Sequence, residues 1–275
     1  MSEPSRHKNA YYGWVPDLPD TRDHLYAAPP PTIADLPSST DLTDGCPKTV
    51  YDQGHIGSCT ANAIAAAFEF DLLKQHLTDF MPSRLFIYYN ERAIEGTVGS
   101  DSGAMIRDGI KSVAAQGVCT ELDWPYDDTQ ARADGTWPAN ATPAQKPSAA
   151  CYTAAAKNTA TSYQRVLRDL DQMKGCLAAG YPFVLGFSVY ESFEGSEVAK
   201  TGVVPMPGSG ETLLGGHAVL AVGYDDDGER FRVRNSWGSS WGQEGYFTMP
   251  YDYLTDRSLA SDFWTIRVVE EGSDA

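Results

Sequence analysis

The chain has 275 residues, of which 42% are hydrophobic and six are Trp, enough to bury a substantial core and to exclude disorder over most of its length. A formal net charge of -16, spread along the chain instead of gathered in a tail, repels phosphate backbones, so nucleic acid is not an expected partner and the acidity reads as a solvated surface. Residues 1–20 lack the apolar core of a secretory signal, and no stretch approaches the roughly 18 apolar residues of a membrane span; a cytoplasmic protein without membrane contacts is expected.

In chain order, residues 1–35 read as an extended, punctuated segment. Trp14-Val15-Pro16-Asp17-Leu18-Pro19-Asp20 and Pro29-Pro30-Pro31 carry proline at a density that argues against regular helix. From Ser58 the pattern changes: Ser58 is placed to cap a helix, and the Ala-rich run beyond it has apolar positions at Ile64, Phe68, Leu72 and Leu73, so the spacing predicts a buried helix over 59–77. Further helices are predicted over 82–95 and over 104–115, the latter ending at Gly117. Residues 124–151 show no sustained period and suit a long connection. Helical spacing returns over 163–177, and strand-like runs follow at 183–189, 217–222, 231–235, 245–249 and 263–269. Helices early and strands late predict an α+β protein with two unlike halves, about 44–160 mainly helical and about 161–270 mainly β.

Gln53-Gly54-His55-Ile56-Gly57-Ser58-Cys59 sets a thiol at the first turn of the predicted helix. The free N–H groups and partial positive charge of a helix N-terminus stabilise a thiolate, the reactive form of cysteine. On position alone, a buried structural thiol is an equal reading. A nucleophilic thiolate needs a base. His7 and His24 lie in the extended start, and His76 near a helix end reads as a surface residue. His55 sits in a glycine loop with nothing to orient it, whereas His217 opens the apolar strand Ala218-Val219-Leu220-Ala221-Val222, a rigid mount. Asn235, in Asn235-Ser236-Trp237-Gly238, offers a carbonyl that can fix the imidazole tautomer, and Trp237 can roof that hydrogen bond. Ordinary core packing would also account for this tryptophan.

These residues carry a resemblance. Gln53 through Cys59, the Gly216-His217-Ala218-Val219 strand and the Asn235-Ser236-Trp237-Gly238 turn resemble the three active-site blocks of the papain family, in the family's order and with its interval between Gln53 and Cys59. Ala221-Val222-Gly223-Tyr224 and Trp241-Gly242-Gln243-Glu244-Gly245-Tyr246-Phe247 extend the match. With Trp124-Pro125-Tyr126, it runs from about Leu36 to the strand near Phe263. Within the family, Gly13 to Asp20 and Gly57 to Ala61 are most similar to the bacterial xylellain-like branch.

The resemblance implies a papain-like fold of two subdomains over residues 36–275, with the cleft between them, acting as a monomer. It implies a cysteine peptidase, expected to be an endopeptidase on peptide or protein substrates, that needs no metal or organic cofactor. Cys59 is implied as nucleophile, His217 as general base and then acid, Asn235 as the residue orienting it, and the Gln53 amide with the Cys59 N–H as oxyanion hole. Gly103 is implied to pair with substrate backbone. Ala104, Met105, Gly57, Gly216 and Trp237 are the further expected substrate contacts.

Thr60 replaces the Trp that usually follows the nucleophile, and Gly216 stands where many relatives have Asp. Residues 1–35 are far shorter than the usual helical pro-domain. Their Tyr11, Tyr12, Trp14 and Pro16 would suit a strap lying along the cleft; a solvated tail is an equal reading. An acyl transferase and an inactive peptide-binding protein are the competing functions.

Overall fold

The computed structural model describes residues 12–271; Tyr11 lies outside them. The first regular elements are strand β1 (Leu25–Tyr26), helix α1 (Pro30–Ala34) and strand β2 (Ser39–Asp41). The helical turn at α1 departs from the expectation that proline keeps this segment extended. Pro30 and Pro31 fall in its first turn, where backbone N–H groups have no intrahelical partner to lose. Tyr26 and Ala28 are buried in the core of the β-rich half, so this part of the N-terminal segment is built into the fold.

Three helices form the first half: α2 (Cys59–Lys74), α3 (Arg84–Glu95) and α4 (Ile106–Gln116). Every residue of α2 from Cys59 to Leu72 is buried. Its alanines at 61, 63, 65, 66 and 67 let helices and sheet approach it from all sides, which a bulkier run would prevent. Helix α3 starts close to the predicted boundary, where the Ser83 hydroxyl accepts from the Phe86 N–H at 3.2 Å. Helix α4 stops at Gly117, whose φ of 75° is left-handed; a Cβ there would lie 1.8 Å from the Ala155 carbonyl oxygen. The connection beyond is irregular as expected, apart from a 3-10 turn at Thr142–Ala144, and leads into the short helix α5 (Ala149–Ala155).

The predicted helix over 163–177 is corrected. It divides into strand β3 (Asn158–Val166) and helix α6 (Leu170–Ala178). The strand's pairing partner lies a hundred residues on, with Tyr163 opposite Ile266 and Arg165 opposite Trp264, so a local helical period is overridden by non-local hydrogen bonds. The helix begins only after Asp169, whose carboxylate caps it by accepting the Gln172 N–H at 3.1 Å. The chain continues through β4 (Phe183–Tyr190), α7 (Ser196–Thr201), β5 (Leu213–Asp225), β6 (Arg230–Arg234), β7 (Tyr246–Pro250), α8 (Tyr251–Thr255) and β8 (Ala260–Glu271).

The strands form one sheet ordered β1-β3-β8-β4-β5-β6-β7, with β2 also paired to β5. All neighbours are antiparallel except β1 and β3. One core, including Ile64, Phe68, Phe86 and Ile110, fills the helical half. A second, rich in aromatics such as Phe187, Phe193, Phe231 and Phe247, fills the β-rich half. Helix α2 packs along β5, bringing the first turn of the helix to the strand that carries His217.

Candidate active site

Cys59 is the first residue of α2 and is fully buried. The expected Ser58 cap is not formed: no side chain caps α2. The Ser58 hydroxyl is taken instead by the Tyr126 hydroxyl at 2.5 Å and the Asn62 amide at 3.0 Å. The N–H groups opening the helix are therefore not claimed by a capping side chain. Burial pushes the Cys59 thiol up to about 12, against the backbone N–H groups of Ala218, Gly13 and Thr60, which favour its anion.

His217 lies within β5, opposite Phe187 of β4. Its Nε2 is 2.8 Å from Asn235 Oδ1. The same oxygen accepts the Ser236 backbone N–H at 2.8 Å, and a backbone N–H can only donate, so the Asn235 amide is oriented with its oxygen here. Nε2 must then be the donor, and the neutral imidazole keeps its lone pair on Nδ1. Among the described residues Nδ1 has no hydrogen-bond partner. It is the nitrogen able to take a proton. Trp237 stacks on the ring at 4.9 Å with 26° between planes, and Phe187 meets it edge-on at 5.7 Å. Enclosure by these rings lowers the imidazole to about 4, against the opposing pull of Asn235.

Gln53 is also buried. Its Oε1 accepts from the Ser236 hydroxyl at 2.8 Å and its Nε2 donates to the Ile56 carbonyl at 3.0 Å, so the loop of the helical half is tied to the turn that carries Asn235. The backbone N–H of Gly57 is held by the Asp101 carboxylate at 3.0 Å. Beside Cys59, Thr60 donates to Glu91 at 2.6 Å. Glu91 is fully buried, which raises its carboxyl well above the ordinary range. An ionised Glu91 would oppose a thiolate.

Residues 12–15 run between the two halves. Trp14 N–H donates to the Gly216 carbonyl at 2.9 Å on one side. On the other, Val15 N–H donates to the Ala104 carbonyl at 3.0 Å, and Ala104 N–H to the Gly13 carbonyl at 2.8 Å. Gly13 is indispensable here, since a Cβ would lie 1.6 Å from the Gly57 carbonyl oxygen. The Trp14 indole fills a slot that two glycines leave open: a Cβ at Gly186 or at Gly216 would come within 2.0 or 2.6 Å of its ring. Its Nε1 donates to Asp262 at the base, 3.1 Å away. Tyr12 meets His217 edge-on at 6.1 Å and donates to Glu194.

The predicted contacts thus lie in several places. Ala104 and Gly216 pair with residues 13–15, Gly103 and Gly57 lie directly against Gly13, Trp237 covers His217, and the Met105 N–H is bound by Glu95 at 2.7 Å. His55 is exposed and paired with Asp128 at 2.8 Å, away from these hydrogen bonds. Ser236 and Tyr126 stand in the sequence motifs without an assigned role, and Gly186, Glu91 and Asp262 were not picked out from the sequence. Each acts through a partner distant in the chain, and Asp262 alone bears a local mark, a left-handed φ of 60° that no linear motif announces. Among the described residues no group of three or more His, Cys, Asp or Glu side chains is placed to hold a metal.

A family model described as papain family cysteine protease matches residues 36–262. The crystal structure of xylellain, a cysteine protease from Xylella fastidiosa, is 50% identical, covers 98% of this chain and 100% of its own, and superposes with a TM-score of 0.91. An uncharacterized peptidase C1-like protein of Acanthamoeba polyphaga mimivirus is 42% identical over 94% of this chain and 88% of its own length. A cathepsin B-like protein of Giardia intestinalis is 32% identical over 81% of this chain and 73% of its own length.

Proposed function

The chain belongs to the papain family of cysteine proteases and is a cysteine peptidase of the two-subdomain α+β fold, and from that premise we propose that Cys59, His217, Asn235 and Gln53 carry the reaction and that residues 12–17 form a strap that must leave first. The support that weighs most is the tautomer of His217: with Nε2–H committed to Asn235, Nδ1 is left as a base on the strand against which the Cys59 sulfur rests.

With the strap gone and water admitted, the burial that holds thiol and imidazole neutral is relieved. The Cys59 proton passes to Nδ1, and the thiolate attacks the carbonyl carbon of the scissile bond. The N–H of Cys59 and the Gln53 amide stabilise the oxyanion. His217 returns its proton to the leaving amine, giving an acyl-enzyme thioester. Water, deprotonated by His217, then attacks the thioester and releases the carboxylate product with the thiol restored.

The strap reading is supported by its contacts. Gly13 directs an N–H at the sulfur, where a substrate would direct a carbonyl, and its own carbonyl is engaged by Ala104. The slot filled by Trp14 would take a substrate side chain. Asp262 at its base, left with Arg165 at 3.1 Å once Trp14 and the Asp17 N–H depart, favours an aromatic or cationic group that can donate a hydrogen bond.

Cleavage of a fluorogenic peptide library by the wild type and by Cys59→Ala tests the reading. Hydrolysis confined to the wild type supports it. Products formed equally by Cys59→Ala refute it, and capture of the acyl group by an added amine in preference to water would favour the acyl transferase.

A further inference from the structure

Two buried thiols outside the cleft lie where two segments of the chain pack together. Cys119 follows α4 with its backbone pinned on both sides, its carbonyl accepting the Ser83 N–H at 2.9 Å and the neighbouring Val118 N–H bonded to the Asn158 carbonyl at 2.9 Å. Cys151 lies in the first turn of α5, where its N–H is capped by Ser148 at 3.2 Å and its sulfur rests 3.1 Å from the Ser148 hydroxyl and 3.5 Å from the Asp123 carbonyl. The segments that carry them are packed together: the Cys151 sulfur lies 3.5 Å from the carbonyl of Asp123, four residues beyond Cys119, and a Cβ at Gly117 would come within 1.8 Å of the Ala155 carbonyl oxygen, one turn beyond Cys151; burial and then the nearby Cys151 thiol push the Cys119 thiol up. Both are free and buried. Cys46, beside Arg234 and Tyr246, and Cys176, beside Thr265 and Arg267, have other neighbours.

The chain between the two cysteines is the irregular connection of residues 120–150, which is short of regular hydrogen bonds but buttresses the active site from behind. Tyr126 donates to the Gln53 carbonyl at 2.9 Å and lies 3.9 Å beneath the Arg84 guanidinium. Pro143 gives its carbonyl to Arg92 at 2.5 Å. The ends of this loop already meet, through Val118 and Asn158 and through the Cys151 sulfur and the Asp123 carbonyl, and a covalent link between Cys119 and Cys151 would fix them there.

We propose that Cys119 and Cys151 are a redox-cleavable disulfide that staples the loop supporting Gln53. Oxidation removes two electrons and two protons from the thiols. With a low-molecular-weight disulfide such as oxidised glutathione as acceptor, the Cys151 thiolate displaces one thiol to form a mixed disulfide. Cys119 then displaces the second, and the oxidant leaves as two thiols. Closing a loop of about 30 residues restricts the unfolded chain, and for a domain of this size that corresponds to a rise in Tm of about 8 °C.

The full chain with Cys59→Ala, which removes the active-site thiol and self-cleavage, is equilibrated in glutathione buffers of increasing oxidised fraction, quenched, denatured and titrated for thiols. Of its four remaining cysteines, two are expected to stop titrating together. Peptide mapping without reductant should join Cys119 to Cys151, and the oxidised form should melt higher by about the stated amount. Cys119→Ser and Cys151→Ser should each abolish both changes, and Cys119→Ala with Cys151→Ala, which keeps small apolar side chains, should melt like the reduced protein. Four thiols titrating throughout, a bridge to a different cysteine, or an oxidised form that melts no higher would each overturn the proposal.

Discussion

Replacing Trp14 by Ala is expected to uncover Cys59 without unfolding the protein. The indole is partly buried in the slot formed by Gly186 and Gly216 and donates to the Asp262 carboxylate. Truncating a fully buried Trp costs about 3–5 kcal/mol, and this ring is partly exposed, so roughly half of that applies. A hydrogen bond to a charged group adds about 1.5 kcal/mol. The sum, about 3 kcal/mol, corresponds to a shift on the order of 100-fold in the ratio of open to strapped enzyme. The main-chain bonds of residues 13–15 survive the substitution, which keeps the effect from being larger. The assays are the initial rate of fluorogenic peptide hydrolysis and the rate at which iodoacetamide alkylates Cys59, with circular dichroism to confirm the fold. Both rates should rise together, up to that factor. A well-folded Trp14→Ala protein that hydrolyses and alkylates at wild-type rates would mean that the strap does not control access.

Other expectations concern individual groups. Burial beside Asp262 raises Asp17 to about 6, against the Arg107 N–H and the Trp264 indole that lower it. A raised carboxyl favours the docked strap when protonated, so docking should be strongest below about pH 4 and weaken as pH rises through about 6, by up to about 3 kcal/mol. Asp17→Asn, which keeps one oxygen as acceptor but offers an NH2 to the second of the two donors, the Arg107 N–H and the Trp264 indole, should lose this pH dependence, which a pH profile of peptide hydrolysis checks. Asn235→Ala frees the imidazole to turn and should reduce kcat roughly 100-fold with little change in KM, measured in the Trp14→Ala background to separate it from strap release. Gln53→Ala should cost about 100- to 1,000-fold in kcat by removing an oxyanion donor. In that same open background Asp262→Asn, which keeps the left-handed backbone, should reduce the preference for Arg over Leu at the Trp14 slot about tenfold in kcat/KM.

Where local pattern and final contacts coincide, the sequence was readable. The alanines of α2 announce a helix that must be packed on all sides, and the apolar run after His217 announces a buried central strand. The papain resemblance pointed to the fold that the comparisons bear out. The segment 163–177 was misread because the strand hydrogen bonds of β3 are made with β8, and only a residue's distant partner distinguishes the two outcomes. Ser58 has the identity of a cap, yet Tyr126, sixty-eight residues on, takes its hydroxyl. Pro30 and Pro31 show the reverse case, in which a residue hostile to helix interiors sits harmlessly in a first turn. The slot for Trp14 is written as absences, the missing side chains of Gly186 and Gly216, and an absence acquires meaning only when the opposing group is in place.

The pH dependence of Cys59 alkylation in Trp14→Ala, with and without His217→Ala and followed by peptide mass spectrometry, tests the nucleophile and its base most directly. A thiolate–imidazolium pair predicts rapid alkylation persisting well below pH 7 and its collapse to ordinary thiol behaviour when His217 is removed. Alkylation that rises only near the ordinary thiol value of about 8.5, identically in both proteins, would show that sulfur and imidazole do not share a proton.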